Sequence, residues 1–446
     1  MTGEHILVVG GGFCGLSAAY DLTKQGCRVT LVEGDQEVGG LAGCFDAGGT
    51  RLEKFYHHWF TSDTHIVQLI EELGRGERVV FRPSNTGMYF ANSIYRLSSP
   101  VDLLRFAPLP FLDRIRLGFL ALRARRVGSW QELESVTAAD WLRRLGGQRV
   151  YDVVWGPLLR GKFGDVAEEI SAVWMWNKLK LRGSSRSSDG RERLAYYQGG
   201  FASLAEDLAS AIEAADGSVR CGEAAETVEV SDGRVTGVTL ASGETIACDR
   251  ALLTPALPLV ADMLEGQADP DYLAGLRRIR YLANLCVVLE LDRSLSDTYW
   301  LNVNDPSFPF VAVIEHTNFE PSDTYAGRHI VYLSKYLPDS DPLYGQEDGA
   351  VLDFTLEHLT RMFPKFQRDW LLRSHVWRAD YAQPVVERAY GSLIPKVKTP
   401  IEGLFLASMA QIYPEDRGTN YAVRQGRAAA AQMLAARAQT KTREPA

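Results

Sequence analysis

Residues 6–9, Ile-Leu-Val-Val, form an unbroken apolar run of the kind that fills a parallel strand covered on both faces. A glycine-rich turn follows, and residues 16–22 then set their apolar side chains at helical spacing. A second strand is predicted at 28–32 and ends on an acid. This strand–turn–helix–strand order is that of a parallel α/β unit. Further along, an amphipathic helix is predicted at 201–215, introduced by Gly199-Gly200. Short strands follow at 219–221, 227–230, 234–240 and 244–246, with turns at Ser231-Asp-Gly233 and Ser242-Gly243. Residues 251–255 read as a strand entering a turn, 282–291 as another strand, and 403–407 as a buried one. A last helix is predicted from 422 through 434, and a frayed tail of small and polar residues beyond it.

The first turn, Gly10-Gly-Gly12-Phe13-Cys14-Gly15, has the spacing G-x-G-x-x-G. Gly10 permits the tight turn, Gly12 lets backbone N–H groups approach a pyrophosphate, and Gly15 allows close helix–strand packing. The N-terminus of the following helix favours the phosphate charge. Glu33 ends the next strand, where a carboxylate accepts hydrogen bonds from an adenosine ribose and repels a 2′-phosphate. The dinucleotide is therefore expected to be FAD or NAD rather than NADP.

Gly39-Gly40-Leu41-Ala42-Gly43 follows Glu33. It resembles the extended FAD fingerprint of glutathione-reductase-like flavoproteins. The order E-x-x-x-x-x-G-G-L-A is similar to that of the flavin amine oxidase, protoporphyrinogen oxidase and phytoene desaturase superfamily. The resemblance implies an α/β fold, a Rossmann-like FAD-binding domain with a discontinuous substrate-binding domain. It implies FAD contacts at Gly10, Gly12, Phe13, Cys14, Gly15, Glu33, Gly40, Leu41 and Ala42, and a backbone contact with the adenine near Ala225. The turn Gly418 to Gly426 resembles the closing motif of that superfamily. There Asp416, Thr419, Asn420 and Tyr421 would lie beside the ribityl chain and the flavin pyrimidine. The domains expected are 1–80, 199–260 and 395–436 for FAD, 81–198 and 261–394 for substrate, and 437–446 as a flexible tail. The substrate domain is expected to be a sheet with helices on one side.

Three clusters carry candidate chemistry. Phe55-Tyr56-His57-His58-Trp59-Phe60 could line a flat pocket beside a flavin or form a packed strand with a satisfied histidine. It also resembles the histidine-bearing loop that follows the FAD fingerprint in UDP-galactopyranose mutases. In the second cluster, Arg160 and Lys162 could clamp an anionic group beside Trp174, Trp176 and Tyr197, or be a solvated pair on a helix end. In the third, strand alternation sets Glu315 and Thr317 on one face and His316 on the other, so one could point into a cavity. The catalytic candidates are His57, His58, Glu315 and His316. Many amine oxidases place a lysine beside flavin N5 on a substrate-domain strand. No lysine lies between Lys180 and Lys335, and the strand at 282–291 carries Asn284 instead. There is no G-x-S-x-G elbow for nucleophilic hydrolysis.

With 446 residues, at roughly 150 per domain, the chain allows two or three domains. A hydrophobic share of 46% and a charged share of 23% are those of a globular protein. A net charge of −8 argues against nucleic acid as a partner. The six cysteines form no C-x-x-C pair and have no zinc spacing, so neither a metal nor a disulfide framework is expected. No cleavable apolar leader is expected, and the longest apolar run, 251–264, is short and carries Pro255 and Pro258. A cytoplasmic protein follows.

Residues 101–150 depart from the overall acidity, with nine arginines against five acids, 9 − 5 = +4. There, 108–127 mixes apolar residues with arginines, as a helix resting weakly on anionic lipid would, or as one packed on its own domain with a solvated arginine face. The function expected is an FAD-dependent oxidoreductase that moves a hydride from a small-molecule substrate to flavin N5. The alternative is a non-redox nucleotide-sugar mutase.

Overall fold

The computed structural model describes residues 4–96, 100–184 and 193–441. A five-stranded parallel sheet runs in the order Ser218–Cys221, Arg28–Glu33, His5–Val9, Arg250–Leu253, Leu404–Leu406. Its centre is wholly apolar, with Leu7, Val8, Leu31, Leu252 and Leu404 all buried. The helices Phe13–Lys24, Gly200–Ala214 and Thr419–Lys441 cover it. Backbones approach closely here: a Cβ on Gly15 would collide with the carbonyl of Gly10, and one on Gly426 with the carbonyl of Cys14. The strands expected at 227–230 and 244–246 belong to a separate three-stranded antiparallel sheet with Arg234–Leu240.

A seven-stranded sheet runs Leu371–Pro384, Tyr281–Leu291, His329–Leu337, Ala312–Glu315, Trp300–Val303, Thr86–Phe90, Ser93–Arg96. Helices cover both of its faces, not one. Ala283, Leu285, Val287 and Leu289 pack with Leu356 and Leu359 of the helix Asp348–Met362. Cys286 and Val288 instead join the main core, which includes Leu159 and Phe163 of the helix Gly156–Phe163. The cause is legible in Tyr281–Leu291: ten of its eleven residues are buried, as in a strand with no solvated face. Further helices, Pro100–Arg105, Phe111–Arg125, Ala138–Gly146 and Ala172–Ser184, lie between the two strands Ser93–Arg96 and Arg193–Tyr197. No helix among the described residues is long and apolar enough to cross a membrane.

The last helix runs from Thr419 to Lys441, longer at both ends than the expected 422–434. The small residues read as tail are largely alanines, the strongest helix formers, and Arg437 pairs with Glu4 at 3.3 Å. Residues 442–446 of the expected tail lie outside the described residues.

Glu53, at the end of the hairpin strand Thr50–Glu53, joins the two sheets. Its carboxylate is 1% exposed and accepts from Tyr196 Oη at 2.8 Å and from the Phe201 backbone N–H at 2.5 Å. Tyr332 Oη, on His329–Leu337, donates to the Glu53 carbonyl at 2.8 Å. Burial pushes the Glu53 carboxyl up to about 7, and the Phe201 and Tyr196 hydrogen bonds only partly counter it. The folded protein therefore holds this proton more tightly than the unfolded chain, whose carboxyl titrates near 4.5. Stability from this group is full below pH 4.5 and is lost as pH rises through about 7. In urea unfolding at a series of pH values, Glu53→Gln should flatten this loss, which amounts to roughly 3 kcal/mol in the wild type.

Candidate functional site

The helix Phe13–Lys24 begins on Gly12, which has no side chain to cap its first turn. Those N–H groups have no intrahelical carbonyl to take them. A Cβ on Gly12 would meet only Gly40 Cα, at 3.9 Å, so open space lies over the turn. Gly10 has φ +104°, and Gly40 has φ +56°. Glu33 is fixed from two sides, by the Gly11 N–H at 2.6 Å and the Asp35 N–H at 2.9 Å. The segment leading to Ala225 runs beside it, with the Glu223 N–H donating to the Glu33 carbonyl at 2.8 Å. Phe13 is buried edge-on to Phe201, and Cys14 Sγ donates to the Ala407 carbonyl at 3.1 Å, tying the first helix to the last strand. Ala42 is buried beneath the second glycine pair.

One cavity brings together residues far apart in the chain: Leu41, Tyr56, His57 and His58 from the first sixty residues, and Asp416, Thr419, Asn420 and Tyr421 from the last forty. Trp59 Nε1 donates to Thr419 Oγ1 at 2.6 Å, and the Ile66 N–H to Asn420 Oδ1 at 3.1 Å. Thr419 thus holds the start of the last helix to the histidine loop, and Asn420 holds it to the helix Thr64–Glu72. Aromatic rings make one wall, where Trp300 meets Tyr56 edge-on at 4.9 Å and His58 at 5.3 Å. Residues 55–58 lie outside any strand; only Trp59–Phe60 pairs with Arg193–Tyr197. His57 Nδ1 lies 2.6 Å from the Phe55 carbonyl, so Nδ1 carries the proton and Nε2 is the acceptor. Burial brings its pKa down to about 4, keeping the ring neutral.

The other wall is charged. Asp416 is 6% exposed and pairs with Lys178 at 2.5 Å and Lys162 at 3.8 Å. Burial would raise the Asp416 carboxyl, but Lys178, Lys162 and Arg417 together hold it well below the usual carboxylate range. Burial brings Lys162 down to about 7 despite Asp416, with Lys178 and Arg417 adding to the fall. Arg417 is fixed by Gln383 Oε1 at 3.0 Å and Tyr336 Oη at 2.7 Å. Arg417 and Lys178 line the cavity, so this wall presents positive charge.

The remaining candidates lie elsewhere. Arg160 is exposed and outside the cavity lining. Trp174 packs on Phe163 at 4.9 Å, with Lys162 5.3 Å and Lys178 5.5 Å from its ring, and so backs the charged wall. Trp176 is buried and donates to the Ala124 carbonyl. Tyr197 is buried and donates to Asp207 at 2.5 Å. Glu315 is buried and accepts from Ser294 Oγ and the Leu295 and Ser296 N–H groups, holding a loop. His316 shares a hydrogen bond with Tyr325 Oη at 2.8 Å, and burial brings its pKa down to about 3. Neither Glu315 nor His316 lines the cavity, because the strand ends at Glu315 and alternation stops there. Sequence reasoning missed Lys178, Arg417, Ser334 and Tyr336. Alternation along His329–Leu337 could have paired Ser334 with Tyr336 on one face, opposite Asn284, which donates to Ser334 Oγ at 2.8 Å.

An uncapped glycine turn under open space, an acid fixed at the next strand end and a closing helix over an aromatic cavity define an FAD-binding protein. The chain belongs to the flavin containing amine oxidoreductase family, which matches residues 13–434. Its cofactor is FAD. It is 27% identical to a phytoene dehydrogenase of Streptomyces griseus over 301 residues, 57% of this chain and 55% of that protein. It is 25% identical to protoporphyrinogen oxidase 2, chloroplastic/mitochondrial, of Arabidopsis thaliana over 195 residues, 41% of this chain and 38% of that protein. The chain thus spans about half or less of the length of these curated relatives. In fold it is similar to a reduced UDP-galactopyranose mutase, with a TM-score of 0.77, 15% identity, and coverage of 97% of this chain and 96% of that one.

Because the space over Gly12 is open, Gly12→Val should leave the fold intact and fill the place of the pyrophosphate. The purified variant should match wild-type circular dichroism yet lack the visible flavin absorbance. A variant that keeps full FAD would contradict the role given to this turn.

Proposed function

We propose that the chain is an FAD-dependent oxidoreductase that takes a hydride from a carbon of a small molecule with an unsaturated or apolar body and an anionic group. Bound FAD supplies the two-electron acceptor. Gly10, Gly12 and Gly15 with the first helix hold its pyrophosphate, Glu33 its ribose, and the first turn of Thr419–Lys441 its pyrimidine end. The aromatic wall of Tyr56, His58 and Trp300 positions the substrate body and excludes water. His57 Nε2 accepts a hydrogen bond from a substrate N–H or O–H. Arg417 and Lys178 orient the anionic group. Glu315, His316 and Tyr197 act as scaffold, Lys162 adds to the charge of the wall, and Trp174 backs it. In this reading 1–80, 199–260 and 395–436 form the FAD unit, and 81–198 with 261–394 the substrate unit. Six free thiols suit a reducing cytoplasm.

The observation that carries the redox reading is the placement of the arginines. A nucleotide-sugar mutase needs cations for a diphosphate, and the basic stretch 101–150 was its best source. Among the described residues, no arginine of that stretch lines the cavity. The mutase reading keeps Arg417, Lys178 and the likeness in fold as its support. Protoporphyrinogen, named by one relative, carries the carboxylates and N–H groups this reading requires and is the first substrate to test, under anaerobic conditions. Phytoene, named by another, has no anionic group, so bleaching by phytoene alone would keep hydride transfer and remove the anionic group from the reading. Bleaching of the flavin by either supports hydride transfer. Isomerisation of UDP-galactopyranose only after dithionite reduction, with no bleaching by other substrates, overturns it.

Asn284 stands on the strand where amine oxidases carry lysine, and it is held by Ser334. Benzylamine and other primary amines should therefore give little peroxide in an oxygen-coupled assay. Rapid turnover would return the chain to amine oxidation.

A further inference from the structure

The helix Phe111–Arg125 carries two apolar stripes. Leu117, Leu120 and Ala124 are buried against the protein. At about 100° per residue, Phe111, Leu112, Ile115, Phe119 and Leu122 fall within an arc of roughly 100° on the opposite side. This second stripe faces outward: Phe111 is 60% exposed, Leu112 68%, Phe119 58% and Leu122 49%. The preceding helix, Pro100–Arg105, adds Val101 and Leu104, each at least half exposed. Six of the ten exposed large apolar residues among the described ones thus lie between 101 and 122.

Arginines border the stripe on both sides. Arg116 and Arg123 follow one edge, Arg114 and Arg125 the other, and Arg126 closes the C-terminal end. Of these five, only Arg116 has an ion-pair partner among the described residues, Asp113. Residues 100–127 hold six arginines and two acids, 6 − 2 = +4, in a chain whose net charge is −8. A solvated helix face would not be apolar along its centre. An exposed apolar stripe with cationic edges matches the layering of an anionic bilayer, with acyl chains inside and phosphates at the rim.

We propose that Pro100–Arg105 and Phe111–Arg125 dock the protein on an anionic lipid surface, the stripe entering the acyl boundary and the arginines meeting lipid phosphates. The docking is peripheral, since neither helix can span the bilayer. The test is cosedimentation of the FAD-loaded protein with phosphatidylcholine vesicles, with and without about one third phosphatidylglycerol. The anionic vesicles should bind at least roughly tenfold more tightly, and about 0.5 M salt should release the protein. Leu112→Glu with Phe119→Glu should lower binding by roughly tenfold or more while keeping the flavin spectrum. Leu372→Glu, a control at an exposed leucine on the strand Leu371–Pro384, should bind as wild type. No binding to either vesicle, equal binding to both, or unchanged binding by the double variant would overturn the proposal. So would a wild-type dimer that ignores vesicles and dissociates on the same double substitution, since the stripe would then be covered by a second copy.

Discussion

A buried carboxylate in an apolar junction is tolerable only if donors surround it, and Glu53 shows what such a requirement does to a fold. Its oxygens demand a tyrosine hydroxyl and the N–H of a helix start, so Tyr196, Phe201 and the hairpin must meet at one point. Gly200, with φ +82°, is where that helix start passes the acid, and a Cβ there would lie 2.9 Å from Glu53 Oε1. The Tyr332 hydroxyl adds the second sheet to the same junction. One buried residue thereby ties the start of Gly200–Ala214, the hairpin strand Thr50–Glu53 and the strand His329–Leu337 together.

The cavity has two unlike walls. One wall is assembled from rings that meet edge to face, a geometry that suits the quadrupoles of aromatic side chains. The facing wall gathers Lys162, Lys178 and Arg417 around one carboxylate, Asp416. Burial, with Lys178 and Arg417 close by, brings Lys162 down to about 7 despite Asp416. A neutral imidazole, His57, sits in the same cavity with its tautomer fixed by a backbone carbonyl. Orientation and charge are thus built into the chain's own side chains before any substrate arrives.

The first two strands of the parallel sheet were legible because their signals are local: apolar runs, a glycine turn and an acid at a strand end all lie within forty residues. Arg234–Leu240 matches the expected strand at both ends for the same reason, since its turn contains Asp232 and Gly233, both at positive φ. The charged wall was not legible, because Lys178 and Asp416 are 238 positions apart (416 − 178) and nothing in their neighbourhoods names the other. His316 misled for the opposite reason. A histidine among apolar residues looks reactive in a sequence, yet Tyr325 satisfies it in the core. The tail misled because alanine is both small and helix-forming, and only Glu4 shows which property acts.

The five parallel strands come from the two ends and the middle of the chain, and this fixes the order in which the protein can be made. His5–Val9 and Arg28–Glu33 leave the ribosome early, but Leu404–Leu406 and the helix packed against Cys14 and Ser17 follow much later. At about 5–20 residues per second, the interval is on the order of half a minute. From the moment Arg250–Leu253 is made until Leu404–Leu406 follows, its apolar edge has no neighbour. A nascent chain of this architecture depends on whatever shields an open sheet edge until the strand and helix that cover it arrive.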